Sequence, residues 1–578
     1  MISRRIATLA TALAATVPAL LAAQAEAPVT IVPVPATALT LPRTHAPRPT
    51  TAAISAADLM TRLYIVADDS MMGREAGTEG NVKATTYIAG EAKHLGLQPA
   101  GDNGTYFQTL PFKTRTIDST SALTFGGTAV GWGTQWAGRA NASFPKADLA
   151  VVYGGASGDS TVHLEDAQVA GKLVIVQLVM APGRGPRIDA RAFPSAAAIA
   201  VVAPAQFLGF ITRPTTFVDD PAKPASPAAV RPLVLITAEG AQQAFDTPLA
   251  QLTPGATGKP ATLELRVSVE PVPFPARNVV GIIPGSDPKL KGQYVAIGAH
   301  NDHVGVNNRP VDHDSLRIFN HIVQPGGAEN RGNQASPEQQ AQVNTLLADW
   351  RAKHPGTQRI DSIANGADDD GSGTVSVLEI AEHFAMAKQK PKRSLLFVWH
   401  VGEEKGLLGS AWFTDHPTVP LDSVVAQLNM DMVGRGDAWD VSGMSKDGEI
   451  LRGNSNYLQV VGSRRLSTEL GDLIESVNTS GKHGIVFDYG MDANGHPMNI
   501  YCRSDHYEYA RYGVPIAFFT TGGHSDYHQV TDEPEYIDYP HMERVDKLVA
   551  DIAAHVANLD HRIVVDHEKP DPHGECVQ

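Results

Sequence analysis

The sequence predicts an α/β protein: a mostly parallel mixed sheet flanked by helices, with a separate β-rich module inserted in it. Three textures lead to this. From about residue 272 onward, apolar strands alternate with helical patterns, as in βαβ units. Between about 120 and 271, short apolar runs alternate with Gly, Pro and Asp turns. From 52 to 119 the opening stretch is mainly helical in spacing.

Residues 1–25 carry Arg4 and Arg5, then an Ala/Leu-rich stretch, then a small-x-small site at Ala23-Gln24-Ala25. This reads as a signal peptide, so the chain is expected to be exported, periplasmic or secreted. Pro18 interrupts the stretch and no stop-transfer flank follows, which argues against a membrane anchor. No later run is apolar and long enough to span a bilayer in the mature chain. Residues 26–51, rich in Pro, Thr and Ala, read as a flexible linker.

In the helical stretch, Ala84, Tyr87, Ile88, Ala92 and Leu95 share one face, closed by Gly96. The module at 120–271 supplies "ADLAVVYGG", "GKLVIVQLV", "AAIAVVAP" and "RPLVLITAEGAQQAF" as its strands. In the segment 272–565, "YVAIGAH", "SLLFVWH", "VVAQLNMDM" and "GVPIAFFTT" are the core-strand candidates. A helix after "GSG" places Val377, Leu378, Ala381, Phe384 and Ala385 on one face. Residues 304–366 are polar and read as an insertion or long loop. Residues 566–578 form a tail. The two cysteines, Cys502 and Cys576, are free to pair in an exported protein.

The 578 residues carry a formal net charge of −15, which excludes a general nucleic-acid binder. The chemistry is concentrated at strand ends. "AHNDH" gives His300, Asp302 and His303; "ADDDGSG" gives Asp368, Asp369 and Asp370. "GEE" gives Glu403 and Glu404, "NMDM" gives Asp431, and "GGHSDYHQVTDE" gives His524, Asp526, Tyr527 and His528. Sites in open α/β sheets form at carboxyl ends of strands. Oxygen and nitrogen donors without thiolates suit zinc, with cobalt or manganese second. Each cluster alone is a weak signal, and "DDDGSG" lacks the later glutamate of a calcium loop. Their joint occurrence in this order is specific.

In these motifs the chain resembles the di-zinc aminopeptidases of metallopeptidase family twenty-eight, the aminopeptidase Y and bacterial leucyl aminopeptidase type. "HND", "DDDGSG", "GEEKGLLGS", "NMDM" and "DYH" carry the resemblance, with "GREAGTEG" at 73–80 and "RSDHYEYARYGVP" at 503–515 beside them. It implies the zinc-peptidase, phosphorylase/hydrolase-like fold. The middle module, with "VAGKLVIV", resembles the protease-associated domain.

The resemblance further implies two zinc ions. His300 and Asp431 would hold one, Glu404 and His528 the other, and Asp369 would bridge them. Asp302 would accept a hydrogen bond from the far nitrogen of His300. A cis Asp369–Asp370 peptide is expected. Glu403 would be general base, then acid, toward a metal-activated water. Tyr527 would donate to the oxyanion or merely pack beside His528. His303, His524 and Asp526 read as neighbours of the site, and Arg503, Asp505 and His506 as flanking residues. The expected reaction is removal of N-terminal residues from peptides. A carboxypeptidase or dipeptidase on the same centre, and a non-catalytic ectodomain, are the alternatives.

Overall fold

Strands that are apolar at successive positions must be covered on both faces, and the central strands of this chain are. The computed structural model describes residues 41–156, 164–178, 193–222, 231–330, 334–356, 358–435 and 441–578. The expected signal peptide and residues 26–40 of the expected linker lie outside them. Among the described residues, no helix is long and apolar enough to cross a membrane.

Among the described residues, the main sheet has nine strands. They are β1 (Gln98–Pro99), β2 (Phe107–Leu110), β3 (Ala276–Ile283), β4 (Tyr294–His300), β5 (Ser394–His400), β6 (Val424–Met430), β7 (Tyr457–Val461), β8 (Val486–Asp488) and β9 (Ile516–Thr520). Their order is β1-β3-β5-β4-β6-β9-β7-β8, with β2 also on β3. The central four, β5, β4, β6 and β9, run parallel. β3 is antiparallel to β5, and β7 to β9. The sheet is therefore mixed, with a parallel centre, as expected.

Period-two alternation splits each central strand between two cores. Ile297, Phe397, Leu428 and Phe519 enter one core. Ala296, Leu396, Val398, Ile516 and Phe518 enter the other, with Phe413 and Tyr509. The first core is closed by helices α1 (Ala56–Val66), α2 (Glu79–His94), α3 (Gly373–Met386) and α4 (Tyr539–Asn558). The expected stripe on α3 is seen: Val377, Leu378, Ala381 and Phe384 are buried there. Helix α2 ends where Gly96 takes φ +75°, a left-handed conformation glycine adopts without Cβ strain.

The β-rich module has its own eight-stranded sheet, drawn from residues 122–265. Trp136, Leu173, Ile175, Val234, Ile236 and Leu263 form its core. A three-stranded sheet of Thr215–Val218, Phe112–Ile117 and Val267–Pro271 stands where the chain enters and leaves it. There Phe112 packs against Val401, just past the end of β5.

Two segments differ from their sequence reading. Residues 304–366 are built rather than loop-like. Gly305–Asp312 pairs antiparallel with Ile360–Ala364, and helices His313–Val323 and Pro337–Lys353 lie between. The second helix starts with Ser336 and Gln339 in a reciprocal capping box and Pro337 at its first position. The described part of the expected linker is tied down: Tyr64 donates to the Pro42 carbonyl, and Thr51 Oγ1 donates to Asp58 at 2.9 Å. Cys502 and Cys576 form a disulfide.

Helices α1, α2 and α3 are joined through one buried cation. Arg62 is 1% exposed and pairs with Glu91 at 2.6 Å, Glu379 at 3.2 Å, and Glu382. Burial holds Glu379 up, at about 7, against the opposing pull of Arg62. A carboxyl raised in the fold stabilises most below its unfolded value, and that contribution fades as pH rises toward 7. Arg62→Met is therefore expected to cost about 3–5 kcal/mol at neutral pH, because it strands two buried carboxylates. The loss shrinks as pH falls below about 7, where Glu379 is protonated. Urea unfolding midpoints across that range check it; a loss independent of pH would contradict it.

Candidate metal centre

The parallel strands end on one edge of the sheet, and the loops that follow carry the acids and histidines. His300 closes β4 and is followed by Asp302 and His303. Glu403 and Glu404 follow β5, and Asp431 follows β6. Tyr527 and His528 lie in the loop after β9. Asp368, Asp369 and Asp370 precede α3.

Backbone amides fix these loops. The Asp370 carboxylate accepts from the N–H of His300 (3.0 Å), Gly373 (2.8 Å) and Met432 (3.2 Å). It thus ties the ends of β4 and β6 to the start of α3. Asp368 accepts from Gly434 N–H at 2.7 Å and faces His524 Nε2 at 3.1 Å. Asp532 accepts from the N–H groups of Asp368 and Asp369. Arg74, from the "GREAGTEG" stretch, donates to the carbonyls of Val66, Asn365 and Gly366. The Asp369–Asp370 peptide is cis. Gly402 takes φ +74° to turn the chain into the two glutamates, and a Cβ there would meet the Phe112 ring at 2.8 Å.

The remaining side-chain atoms converge in two groups that share Asp369. His300 Nε2 lies 3.2 Å from Asp369 Oδ1 and 3.6 Å from Asp431 Oδ1. His528 Nε2 lies 3.0 Å from Asp369 Oδ2 and 2.8 Å from Glu404 Oε2. His303 Nδ1 lies 2.8 Å from Glu404 Oε1 and 3.6 Å from Asp369 Oδ2. Within each group the donor atoms are all within 4.8 Å of one another. Yet His300 Nε2, His303 Nδ1, His528 Nε2, Asp369 Oδ2 and Glu404 Oε1 are buried without a hydrogen-bond partner. Such atoms normally find one. Imidazole nitrogens and carboxylate oxygens aimed at common points without hydrogen-bond geometry fit a pair of divalent cations of the zinc type.

Electrostatics separates the two adjacent glutamates. Burial drives the Glu403 carboxyl well above its ordinary value, Asp431 and Glu404 push it the same way, and His300 opposes. Burial also raises Glu404, but contacts with His303 and His528 outweigh it and hold the carboxyl low. Tyr527 is kept protonated by burial and by Asp369, Glu404 and Glu403 around it. Its ring stacks on His528 at 3.8 Å between centroids.

His300, Asp369, Glu404, Asp431 and His528 are brought together in the two groups, and Glu403 and Tyr527 line the cleft beside them. The Asp302 carboxylate does not face His300: its Oδ1 lies 3.8 Å from Nδ1 and accepts from the N–H of Gly402 (2.7 Å) and Glu403 (3.2 Å). The Asp302 backbone carbonyl meets His300 Nδ1 instead, at 3.1 Å. Two N–H groups on a tight loop are the stronger claim on a carboxylate. His524 and Asp526 are neighbours, as read; Asp526 faces Arg435, Arg317 and His321. His303, read as a neighbour, belongs to the second group. Its signal was the second histidine of "AHNDH", three residues after His300. Ser504 was missed: its Oγ donates to Asp431 Oδ2 at 2.7 Å. A cleft of about 590 Å³, open to solvent, adjoins Asp369, Glu403, Asp431 and Tyr527. Met432, Met491, Met498, Ile500 and Phe518 give it an apolar wall, and Arg503 also lines it.

Residues 278–553 match the model of peptidase family M28. The chain is 35% identical over 97 residues to leupeptin-inactivating enzyme 1 of Streptomyces exfoliatus, covering 15% of this chain and 22% of that protein. It is 31% identical over 205 residues to leucine aminopeptidase 1 of Uncinocarpus reesii, covering 34% of this chain and 46% of that protein. The matched segments span less than half the length of these curated relatives. Among solved structures, the aminopeptidase from Aneurinibacillus sp. strain AM-1 is 17% identical with a TM-score of 0.49, covering 89% of this chain and 97% of that one. The segment that carries both donor groups, residues 278–553, belongs to peptidase family M28.

Proposed function

We propose that the chain is an exported, periplasmic or secreted, metallopeptidase that uses two zinc ions and acts as an aminopeptidase on peptides. The observation that carries this is the pair of donor groups sharing Asp369, with Glu403 on the rim of the cleft beside them. His300 and Asp431 would hold one cation and Glu404, His303 and His528 the other. The His300 group has three protein donors, an arrangement that leaves a position for a non-protein ligand. When bound, the cations lower the pKa of a water and polarise a carbonyl. The residues do the rest. Glu403, at the cleft, takes a proton on its carboxylate and returns it to the leaving amine. Tyr527, held as the phenol, offers its O–H to the oxyanion. Ser504 holds Asp431 in place. The leucine aminopeptidase and leupeptin-inactivating relatives support a peptide substrate. The β-rich module is read as a protease-associated domain, on its "VAGKLVIV" stretch.

One observation favours a second reading. Arg503 lines the same cleft, and a guanidinium suits a substrate carboxylate. That would make the enzyme a carboxypeptidase or dipeptidase.

Aminoacyl anilides and N-blocked dipeptides separate these readings. Aminoacyl substrates are expected to be cleaved, a chelator to abolish cleavage, and zinc to restore it. Cleavage of blocked substrates alone would move the assignment to the carboxyl end. Hydrolysis unaffected by chelation would refute the metal centre.

The two glutamates are expected to separate in metal analysis. Glu403→Gln should retain two zinc equivalents per chain and lose turnover by about 10²–10⁴-fold. Glu404→Gln should bind fewer than two equivalents. Equal metal loss in both would contradict the assigned roles.

A further inference from the structure

The apolar wall of the cleft comes largely from residues 490–504, and little regular structure holds them. Two short 3₁₀ turns, Gly490–Asp492 and Ile500–Cys502, are the helical pieces, and β8 ends before them. Met491, Met498 and Ile500 point into the cleft from this loop, and Ser504 anchors Asp431. A loop without a ladder keeps its shape through side-chain and tail contacts. Part of that support comes from the loop's own side, where Arg465 binds Asp492 at 2.6 Å and covers the Tyr501 ring.

The rest comes from the tail. Cys576 is bonded to Cys502, inside the second turn. Gln578 is 7% exposed, and its amide is spent on the loop backbone. Nε2 donates to the carbonyls of Met491 (2.6 Å) and Ala493 (3.2 Å). Oε1 accepts from Tyr501 N–H at 3.0 Å, and the Gln578 carbonyl accepts from Gly495 N–H at 2.8 Å. The disulfide closes a separation of 74 residues. One covalent bond and one amide thus grip both ends of the segment from Met491 to Cys502, which contains the three apolar lining residues.

We propose that the tail, through the Cys502–Cys576 disulfide and Gln578, is a strap that positions the apolar wall of the cleft and so sets preference for a large apolar side chain next to the scissile bond. Gln578 and Cys576 are positioning residues; neither lines the cleft. The inference rests on the peptidase reading for its kinetic readout, but its structural readout is independent. Removing the strap loosens the wall between Met491 and Cys502; the donor groups and Glu403 sit on other elements, and Ser504, which anchors Asp431, lies beyond the gripped segment. Binding of bulky side chains weakens, while small substrates and the chemical step are spared.

The test compares leucyl and alanyl anilides on wild type, Gln578→Ala, Gln578→Glu and the Cys502→Ser/Cys576→Ser double variant, with zinc content and amide exchange of 490–504 measured on each. Expected are a KM for the leucyl substrate raised about tenfold and an alanyl KM within about twofold. Zinc content should be unchanged and exchange between 491 and 501 faster. Gln578→Glu keeps the acceptor for Tyr501 but sets a carboxylate oxygen against the Met491 and Ala493 carbonyls, and should not recover the loss. Equal losses on both substrates, an unchanged leucyl KM, or unchanged exchange would each overturn the strap. If the double variant does not fold, Gln578→Ala decides. An inactive wild type would sink the peptidase reading, and exchange would still judge the strap.

Discussion

Asp302, Asp368, Asp369, Asp370, Glu403, Glu404 and Asp431 are gathered at one edge of a sheet, with little water reaching them. Removing such charges from water costs several kcal/mol each unless they are compensated. How each is compensated decides what it does. Backbone amides saturate Asp370, and bind Asp368 and Asp302 as well. These carboxylates are joints: each holds two or more chain segments in register. Asp302, Asp368, Asp369 and Glu404 each keep one oxygen without a hydrogen-bond donor, but only those of Asp369 and Glu404 belong to the two donor groups. Despite burial, histidines hold both carboxyls low, and the same arrangement of oxygens and imidazole nitrogens suits a metal cation. The three consecutive aspartates of "DDDGSG" thus do three jobs, assigned by which N–H groups reach them.

The joints make the site rigid. Asp370 alone connects β4, β6 and α3, the elements that deliver His300, Asp431 and Asp369. Asp302 connects the end of β4 to the turn that presents Glu403 and Glu404. Arg74 reaches from the first helical segment to the carbonyls just before the aspartates. A donor set fixed this way keeps its spacing when a ligand changes, which catalysis by positioned charge requires. The cleft wall is less regular and depends on the tail.

Much of this was legible before any coordinates. Four apolar runs ending in donor residues mark four parallel strands and the edge they share, because the end of a buried strand is where polar groups become admissible. The helix after "GSG" followed from its 3.6-residue stripe. Other features depend on tertiary contact. Tyr457–Val461 is apolar but sits in polar surroundings, and Val486–Asp488 is only three residues long, so neither stood out as a strand. Residues 304–366 looked like loop because the second helix is mostly exposed and polar and the first buries polar side chains such as His313, Asp314 and Arg317, although "SPEQQ" carried a legible capping box. The direction of the Asp302 carboxylate could not be read, since it is decided by two N–H groups a hundred residues away. His303 was discounted because a histidine beside a strand end is usually a packed bystander. Only the fold shows its ring turned toward Glu404.

Neighbouring Glu403 and Glu404 illustrate what the fold adds to a dipeptide. On their own, two adjacent carboxyls differ little in acidity and repel. Here the turn at Gly402 sends one toward the histidines and the other toward the cleft. His303 and His528 stabilise the charge on Glu404, while burial near Asp431 disfavours it on Glu403. Two identical side chains acquire opposite tendencies, one to stay ionised and one to carry a proton. This separation does not rest on sequence spacing, which would allow either order. It rests on which of the two faces the imidazoles, and that is fixed by the amides of Gly402 and Glu403 holding to Asp302. The residue expected to orient a histidine thus orients the glutamates instead.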